Sequence, residues 1–213
     1  IPVSEDTIID TVEKVTREAL DRISDGVRHQ GVAAQGAPVA FQDLDTVLAR
    51  VESRGEVPLL LLLDELQDPQ NVGALIRTAN AAGVHGVLLP QRRSCPLNGV
   101  VAKISAGAIE YVPVIQIGNI AQTMKQLKKR GFWIAGADMD GESQYFDANL
   151  TGPMVLVVGA EGKGLGRLVK ENCDFIVRIP MLGQVSSLNA SVAGGILLYD
   201  IVRQRILEGR KKP

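Results

Sequence analysis

Three short stretches of this chain combine side chains and backbone that could hold an anion or a small polar ligand. The first is 64–77, DELQDPQNVGALIR, where Pro69 sets a turn, Asn71 is placed to cap a helix, and Arg77 follows within that helix. The neighbours of Arg77 are apolar or small (Ala74, Leu75, Ile76, Ala79). A guanidinium there serves either a surface salt bridge or, through its five fixed donors, a phosphate. The second is 158–166, VGAEGKGLG, whose glycines permit positive φ or close approach of backbone to a ligand. It is no P-loop, since Leu165 follows Gly164, and no dinucleotide fingerprint, since Arg167 stands where glycine is needed. The third is 179–191, IPMLGQVSSLNAS, in which a strand stops at Pro180 and a loop with Gly183 and the hydroxyls of Ser186, Ser187 and Ser191 leads into a helix. Asn189 or Ser187 can cap that helix. Its first turns are small (Ala190, Ser191, Ala193, Gly194, Gly195). A glycine inside a helix costs about 1 kcal/mol relative to alanine, so a pair of them implies close approach of another element or a ligand.

The elements that must carry these stretches are legible from hydrophobic pattern. The continuous apolar run at 57–63 predicts a strand covered on both faces, 84–89 reads as the next buried strand, and further strands are expected at 111–115, 132–137, 154–158 and 175–179. Helical spacing is expected over 71–82, 120–129 and 192–205. Strands alternating with helices predict an α/β fold with a mainly parallel sheet and helices on both faces. Each of the three stretches then follows a strand, where ligands of open α/β sheets gather. Ahead of this, 4–23 has helical spacing, 27–39 reads as turn, strand and exit, and 41–55 as a connecting helix. Residues 1–40 are too few for a core of their own, and read as the end of a small α+β domain whose start is missing.

At 213 residues, with 46% hydrophobic and 22% charged residues, the chain has room for one full domain and an appendage. A formal net charge of −1 gives no global field toward nucleic acid or membrane, leaving local basic clusters at Arg92-Arg93, 125–130 and 203–212. Each of these also reads as an ordinary solvated face. Aromatic residues make up only 4%, so stacking platforms for single strands are scarce. Cys95 and Cys173 lack metal-site spacing; no metal site or disulfide framework is expected, and a reducing compartment, the cytoplasm, is. The run 57–63 is too short to cross a bilayer, and no membrane association is expected.

The three stretches together, in this order, closely resemble the SpoU family of RNA ribose 2′-O-methyltransferases, in the SPOUT superfamily. The resemblance covers about 58–205 and rests on Asn71-Val72-Gly73-Ala74 with Arg77, then Gly159-Ala160-Glu161-Gly162, then Ile179-Pro180-Met181 with Ser187-Leu188-Asn189-Ala190-Ser191. Within the family the wording is most similar to bacterial enzymes that methylate a guanosine ribose of 23S rRNA. The run 24–31 resembles the end of the N-terminal RNA-binding domain of those enzymes.

The resemblance implies a methyltransferase domain over 56–213 with a C-terminal trefoil knot, after a connecting helix at 41–55 and a domain remnant at 1–40. It implies S-adenosylmethionine as methyl donor, held by Gly159, Ala160, Gly162, Ile179, Met181, Leu188 and Asn189. It assigns Asn71, Arg77, Glu161, Ser187 and Asn189 to catalysis. Arginine is effectively always protonated, so Arg77 is better cast as a phosphate clamp than as a base. RNA, with 23S rRNA ahead of tRNA, is the implied partner, and a homodimer the implied assembly, with the small face of 190–195 a candidate for its packing. A non-catalytic RNA-binding or ribosome-assembly factor on the same fold is the alternative from another class. An NAD-type oxidoreductase is disfavoured by the missing glycine fingerprint.

Overall fold

Five consecutive leucines, Leu59–Leu63, form β1, and all five are buried. The structure, a computed structural model, describes residues 12–24, 29–34 and 39–210. The chain divides into two units, Ile1–Val39 and Ala40–Pro213.

In the first unit, α1 (Arg17–Ile23) is capped by Thr16, whose hydroxyl accepts from the Ala19 amide. The helix expected over 4–23 is therefore shorter in its described part, since 12–16 are not helical, and 4–11 lie outside the described residues. Of the turn and strand expected over 27–39, residues 27, 28 and 35–38 lie outside the described residues. Those described form a turn and no strand, so no β element supports the α+β expectation there.

The second unit is built on a seven-stranded sheet in the order β3-β2-β1-β6-β4-β7-β5. Its strands are β1, β2 (Gly86–Pro90), β3 (Val114–Ile117), β4 (Trp133–Ala137), β5 (Ser143–Gln144), β6 (Met154–Val158) and β7 (Phe175–Arg178). Every pairing is parallel, so the expected mainly parallel sheet is wholly parallel. β1, β2 and β6 are buried along their whole length, as parallel strands sandwiched by helices must be.

One face of the sheet is covered by α2 (Leu44–Ser53), α5 (Ile120–Lys129) and α6 (Arg167–Asn172), which deliver Val47, Met124, Leu127 and Val169 onto Leu60, Leu62, Ile134, Val155 and Val157. Side chains alternate between faces along a strand, so Leu61, Leu156 and Val158 face the other way. There α3 (Pro69–Ala81) and α7 (Ala190–Gly209) pack on each other and on Val158. Gly194 is where they cross: a Cβ on it would lie 2.5 Å from Leu75 Cδ2 and 3.3 Å from Val158 Cγ2. The close approach implied by the paired glycines is thus an intrachain one, and this part of the small face is not free for a second protomer. Arg205 fixes the far end of α7, donating to the carbonyls of Val57, Pro58 and Gly152 at 2.8–2.9 Å.

The short helix α4 (Gly99–Ile104), capped by Asn98, lies against α3 so closely that a Cβ on Gly73 would lie 2.7 Å from Ile104 Cβ. It, α6 and β5 are elements the hydrophobic pattern did not announce.

Candidate functional site

The carboxyl ends of β1, β6 and β4 are level, because Leu63 pairs with Val158 and Val158 with Ala137. The chain leaves these ends as Asp64, Gly159 and Asp138. Beyond them lies a cleft of about 210 Å³, walled by the loop after β6, the segment after β7 and the first turns of α7. Gly159, Ala160, Gly162, Ile179, Met181 and Leu188 all line it, as do Glu161 and Ser187. Ala193, Leu197 and Val158 complete its apolar side.

The loop after β6 folds back on itself. The Gly164 amide donates to the Ala160 carbonyl at 2.9 Å, and Gly162 and Gly164 take φ of +77° and +63°. A Cβ on Gly159 would overlap the Gly164 carbonyl, so the approach that demands glycine at 159 is of the loop to itself. Two acids that the sequence reading passed over hold the returning limb. Asp138 Oδ2 accepts from the Leu165 amide at 3.1 Å, and Asp64 Oδ2 accepts from the Gly166 amide at 2.9 Å. The available signal was an acid directly after a buried strand run.

Those acids differ in charge environment. Burial and the neighbouring Glu65 charge push the Asp64 carboxyl up, and the Gly166 amide only partly offsets them. Burial pushes Asp138 up as well, but the Lys170 ammonium at 2.9 Å and the amides of Leu165 and Asp140 outweigh it and hold the carboxyl below its usual range.

Asn189 joins all three stretches. Its Oδ1 caps α7, accepting from the amides of Ser191 and Val192 at 3.0 and 3.3 Å. Its Nδ2 donates to Asn71 Oδ1 at 2.8 Å and to Glu161 Oε2 at 3.2 Å. Asn71 was expected to cap α3, but Asp68 does so, with Pro69 at the first helical position, and Asn71 lies buried in the first turn facing Asn189. Pro at that position lacks the amide that would go unbonded, which moves the cap three residues upstream. The structure therefore brings Asn71, Glu161 and Asn189 together and sets Ser187 on the cleft wall.

Arg77 stands apart. It is exposed on α3, and among the described residues it has neither hydrogen bond nor ion pair. Several other basic residues are engaged, among them Arg93 with Glu65, Lys128 with Asp174, Arg130 with Asp45 and Arg203 with Asp200. Arg92, Lys125, Lys129 and Lys163 share with Arg77 the lack of a side-chain partner among the described residues.

The cleft has the donors to bind a polar ligand. Among the described residues, the amides of the cleft-lining Glu161, Gly162, Lys163, Met181, Ser186, Ser187 and Leu188 donate to no acceptor. Cys173 is no nucleophile, because burial pushes its thiol up to about 12. No group of acids, histidines and cysteines among the described residues could hold a metal ion. No described helix is long and apolar enough to cross a membrane.

Residues 58–199 match the SpoU rRNA methylase family, and residues 10–42 match a family described as RNA 2′-O ribose methyltransferase substrate binding. A Bacillus subtilis protein, YacO, assigned by name to the TrmH family of tRNA/rRNA methyltransferases, is 46% identical over 92% of this chain and 78% of its own. The 23S rRNA (guanosine-2′-O-)-methyltransferase RlmB of Vibrio parahaemolyticus is 45% identical over 92% of this chain and 79% of its own. Among solved structures, the SpoU methyltransferase AviRb from Streptomyces viridochromogenes in complex with AdoMet superposes with a TM-score of 0.71 at 32% identity, over 79% of this chain and 66% of that one. With a family match over 58–199 and relatives at 45–46% identity along 92% of its length, this chain belongs to the SpoU rRNA methylase family.

Proposed function

We propose that this chain transfers a methyl group from S-adenosylmethionine to a ribose 2′-hydroxyl of RNA, and that the target is a guanosine of 23S rRNA. The observation that carries the reading is the cleft itself: free amides and apolar walls joined, through Asn189, to Asn71 and Glu161. Free amides suit the adenine edge and carboxylate of the donor, and Ile179 and Leu188 suit its apolar contacts. Gly159, Ala160, Gly162 and Met181 complete the hold, while Asn189, outside the cleft lining, acts on it through its hydrogen bond to Glu161. When bound, the donor supplies an electrophilic methyl group on a sulfonium.

The residues of the chain prepare the acceptor. A ribose hydroxyl is a weak nucleophile at neutral pH and needs positioning. Arg77, exposed and without a partner among the described residues, clamps an RNA phosphate and lowers the hydroxyl's pKa by its fixed positive charge. Asn71 has its oxygen committed to Asn189, which leaves its Nδ2 to donate to the ribose. Ser187, at the cleft wall, offers a hydroxyl to the same sugar. Glu161 keeps Asn189 oriented through their hydrogen bond.

The assignment to 23S rRNA is supported by the match of residues 10–42 to a substrate-binding family and by the likeness to RlmB. We read the first 40 residues as part of that RNA-binding domain. The proposal includes the C-terminal knot. Gln204 of α7 accepts from the Leu150 amide at 2.9 Å and donates to the Ala148 carbonyl at 3.0 Å, tying α7 to the chain that enters β6. It also includes a homodimer. Val192, Tyr199 and Ile206 lie on α7 at seven-residue spacing with exposures of 49%, 50% and 50%, an apolar stripe suited to a second copy.

The test is transfer of labelled methyl from S-adenosylmethionine to 23S rRNA, 16S rRNA and bulk tRNA in parallel. Label confined to 23S rRNA supports the target. Label in tRNA instead keeps the enzyme and changes the substrate. No label, with no donor binding by calorimetry, moves the chain to the non-catalytic alternative.

A further inference from the structure

We infer that Asp64 and Asp138 are positioning residues of the donor site, two strand-end carboxylates that hold successive amides of the loop after β6 and so fix the wall against which the donor lies. The inference rests on the donor reading above and concerns how the cleft keeps its shape.

The two acids occupy equivalent places. Each directly follows a strand that flanks β6, and each backbone amide continues the sheet: Asp64 N donates to the Val158 carbonyl at 2.9 Å and Asp138 N to the Val177 carbonyl at 3.1 Å. Their side chains are buried and point into the gap beyond β6, where the returning loop presents the amides of Leu165 and Gly166. Adjacent peptide groups are thus held from opposite sides. Leu165 anchors the same limb in the core below, packed against Gly136.

The glycines follow from these pins. With the limb held at 165 and 166, Gly164 comes against the Asp138 carboxylate, leaving no room for a Cβ, and it turns at φ +63°. Its carbonyl in turn closes on Gly159. What remains between, Ala160 to Lys163, lines the cleft, and the amides of Glu161, Gly162 and Lys163 there donate to no acceptor among the described residues. Asp138 is itself on the cleft wall, but Asp64 is not, so its effect on the donor can pass only through the loop.

A buried carboxylate facing a backbone amide is an acceptor that asparagine can replace in shape, while alanine leaves the amide unbonded. Four variants test the inference: Asp64→Ala, Asp64→Asn, Asp138→Ala and Asp138→Asn. Donor affinity is read by calorimetry with S-adenosylmethionine and with its demethylated product, and exchange of the Leu165 and Gly166 amides is read by NMR. For Asp64→Ala the expected result is a dissociation constant about tenfold higher for both ligands, with kcat at saturating donor changed less than about threefold. Gly166 exchange quickens in that variant and Leu165 exchange in Asp138→Ala, while Asp64→Asn recovers most of the affinity. A folded Asp64→Ala protein with native donor affinity and a slow Gly166 amide overturns the inference, as does an Asp64→Asn variant no better than the alanine one. If the unsubstituted protein binds no donor, the methyltransferase reading fails instead, and the pins stand or fall on amide exchange alone.

Discussion

Asn189 donates to Asn71 across 118 positions of sequence, at 2.8 Å, and the same side chain caps α7. One amide group therefore ties the start of α3 to the start of α7, with Glu161 from the loop after β6 as its third partner. Its oxygen and nitrogen are both committed inside the protein, which makes it a brace for the site more than a group presented to RNA.

Substitutions at Asn189 separate its two duties. Asn189→Ala removes cap and brace together and should lower stability by about 1–2 kcal/mol, read by urea denaturation. Asn189→Asp keeps a capping oxygen but sets a carboxylate against Glu161 Oε2, so it should hold most of the stability while donor affinity falls. Equal donor affinity in the aspartate variant and the native protein would remove the brace from the account.

Arg77 is exposed and its side chain has no hydrogen bond or ion pair among the described residues, so Arg77→Ala should change stability by less than about 0.5 kcal/mol. Methyl transfer should nonetheless fall by about a hundredfold, with donor affinity kept. Arg77→Lys should restore little, because lysine keeps the charge and loses the bidentate fork. Near-native turnover in the lysine variant contradicts the clamp.

The two glycines of α7 should respond in opposite directions. A Cβ at 194 lies 2.5 Å from Leu75 Cδ2, so Gly194→Ala should destabilise by about 1–3 kcal/mol through overpacking. At 195 the nearest atom, Thr78 Cγ2, is 3.7 Å away, and Gly195→Ala should gain up to about 1 kcal/mol of helix propensity. Chemical denaturation of both variants gives the comparison directly.

Asp138 gives the fold an acid-sensitive contribution. Its folded pKa lies below the ordinary 3.8, so the stability it adds is fully present above that value and is lost as pH falls through the folded one. Asp138→Asn should melt lower than the native protein at pH 7, with the gap closing below about pH 4. A gap independent of pH between 7 and 3 would assign the loss to packing and not to charge.

Much of this was legible in the sequence because the central strands β1 and β6 are continuous apolar runs. The helix over 120–129 falls where its spacing puts it, and the strands over 154–158 and 175–178 lie within their expected bounds. The three polar stretches converge because parallel strands put their carboxyl ends on one side. Short elements escaped: β5 has two residues, and α4 six, too few for a period to show. The cap of α3 was misplaced because Asn71 and Asp68 are both good caps; Pro69 at the first helical position and the hydrogen bond of Asn71 with Asn189 decide for Asp68. Beyond following a buried strand run, Asp64 and Asp138 carry no signal of their own in the sequence, since their role depends on β6 running between β1 and β4, which no local pattern records.

The measurement that bears most directly on the central claim is a nucleoside digest of 23S rRNA after incubation with the protein and methyl-labelled S-adenosylmethionine. The account predicts label in 2′-O-methylguanosine from the native protein and almost none from Arg77→Ala. Label on a base, or equal ribose label from both proteins, would contradict it.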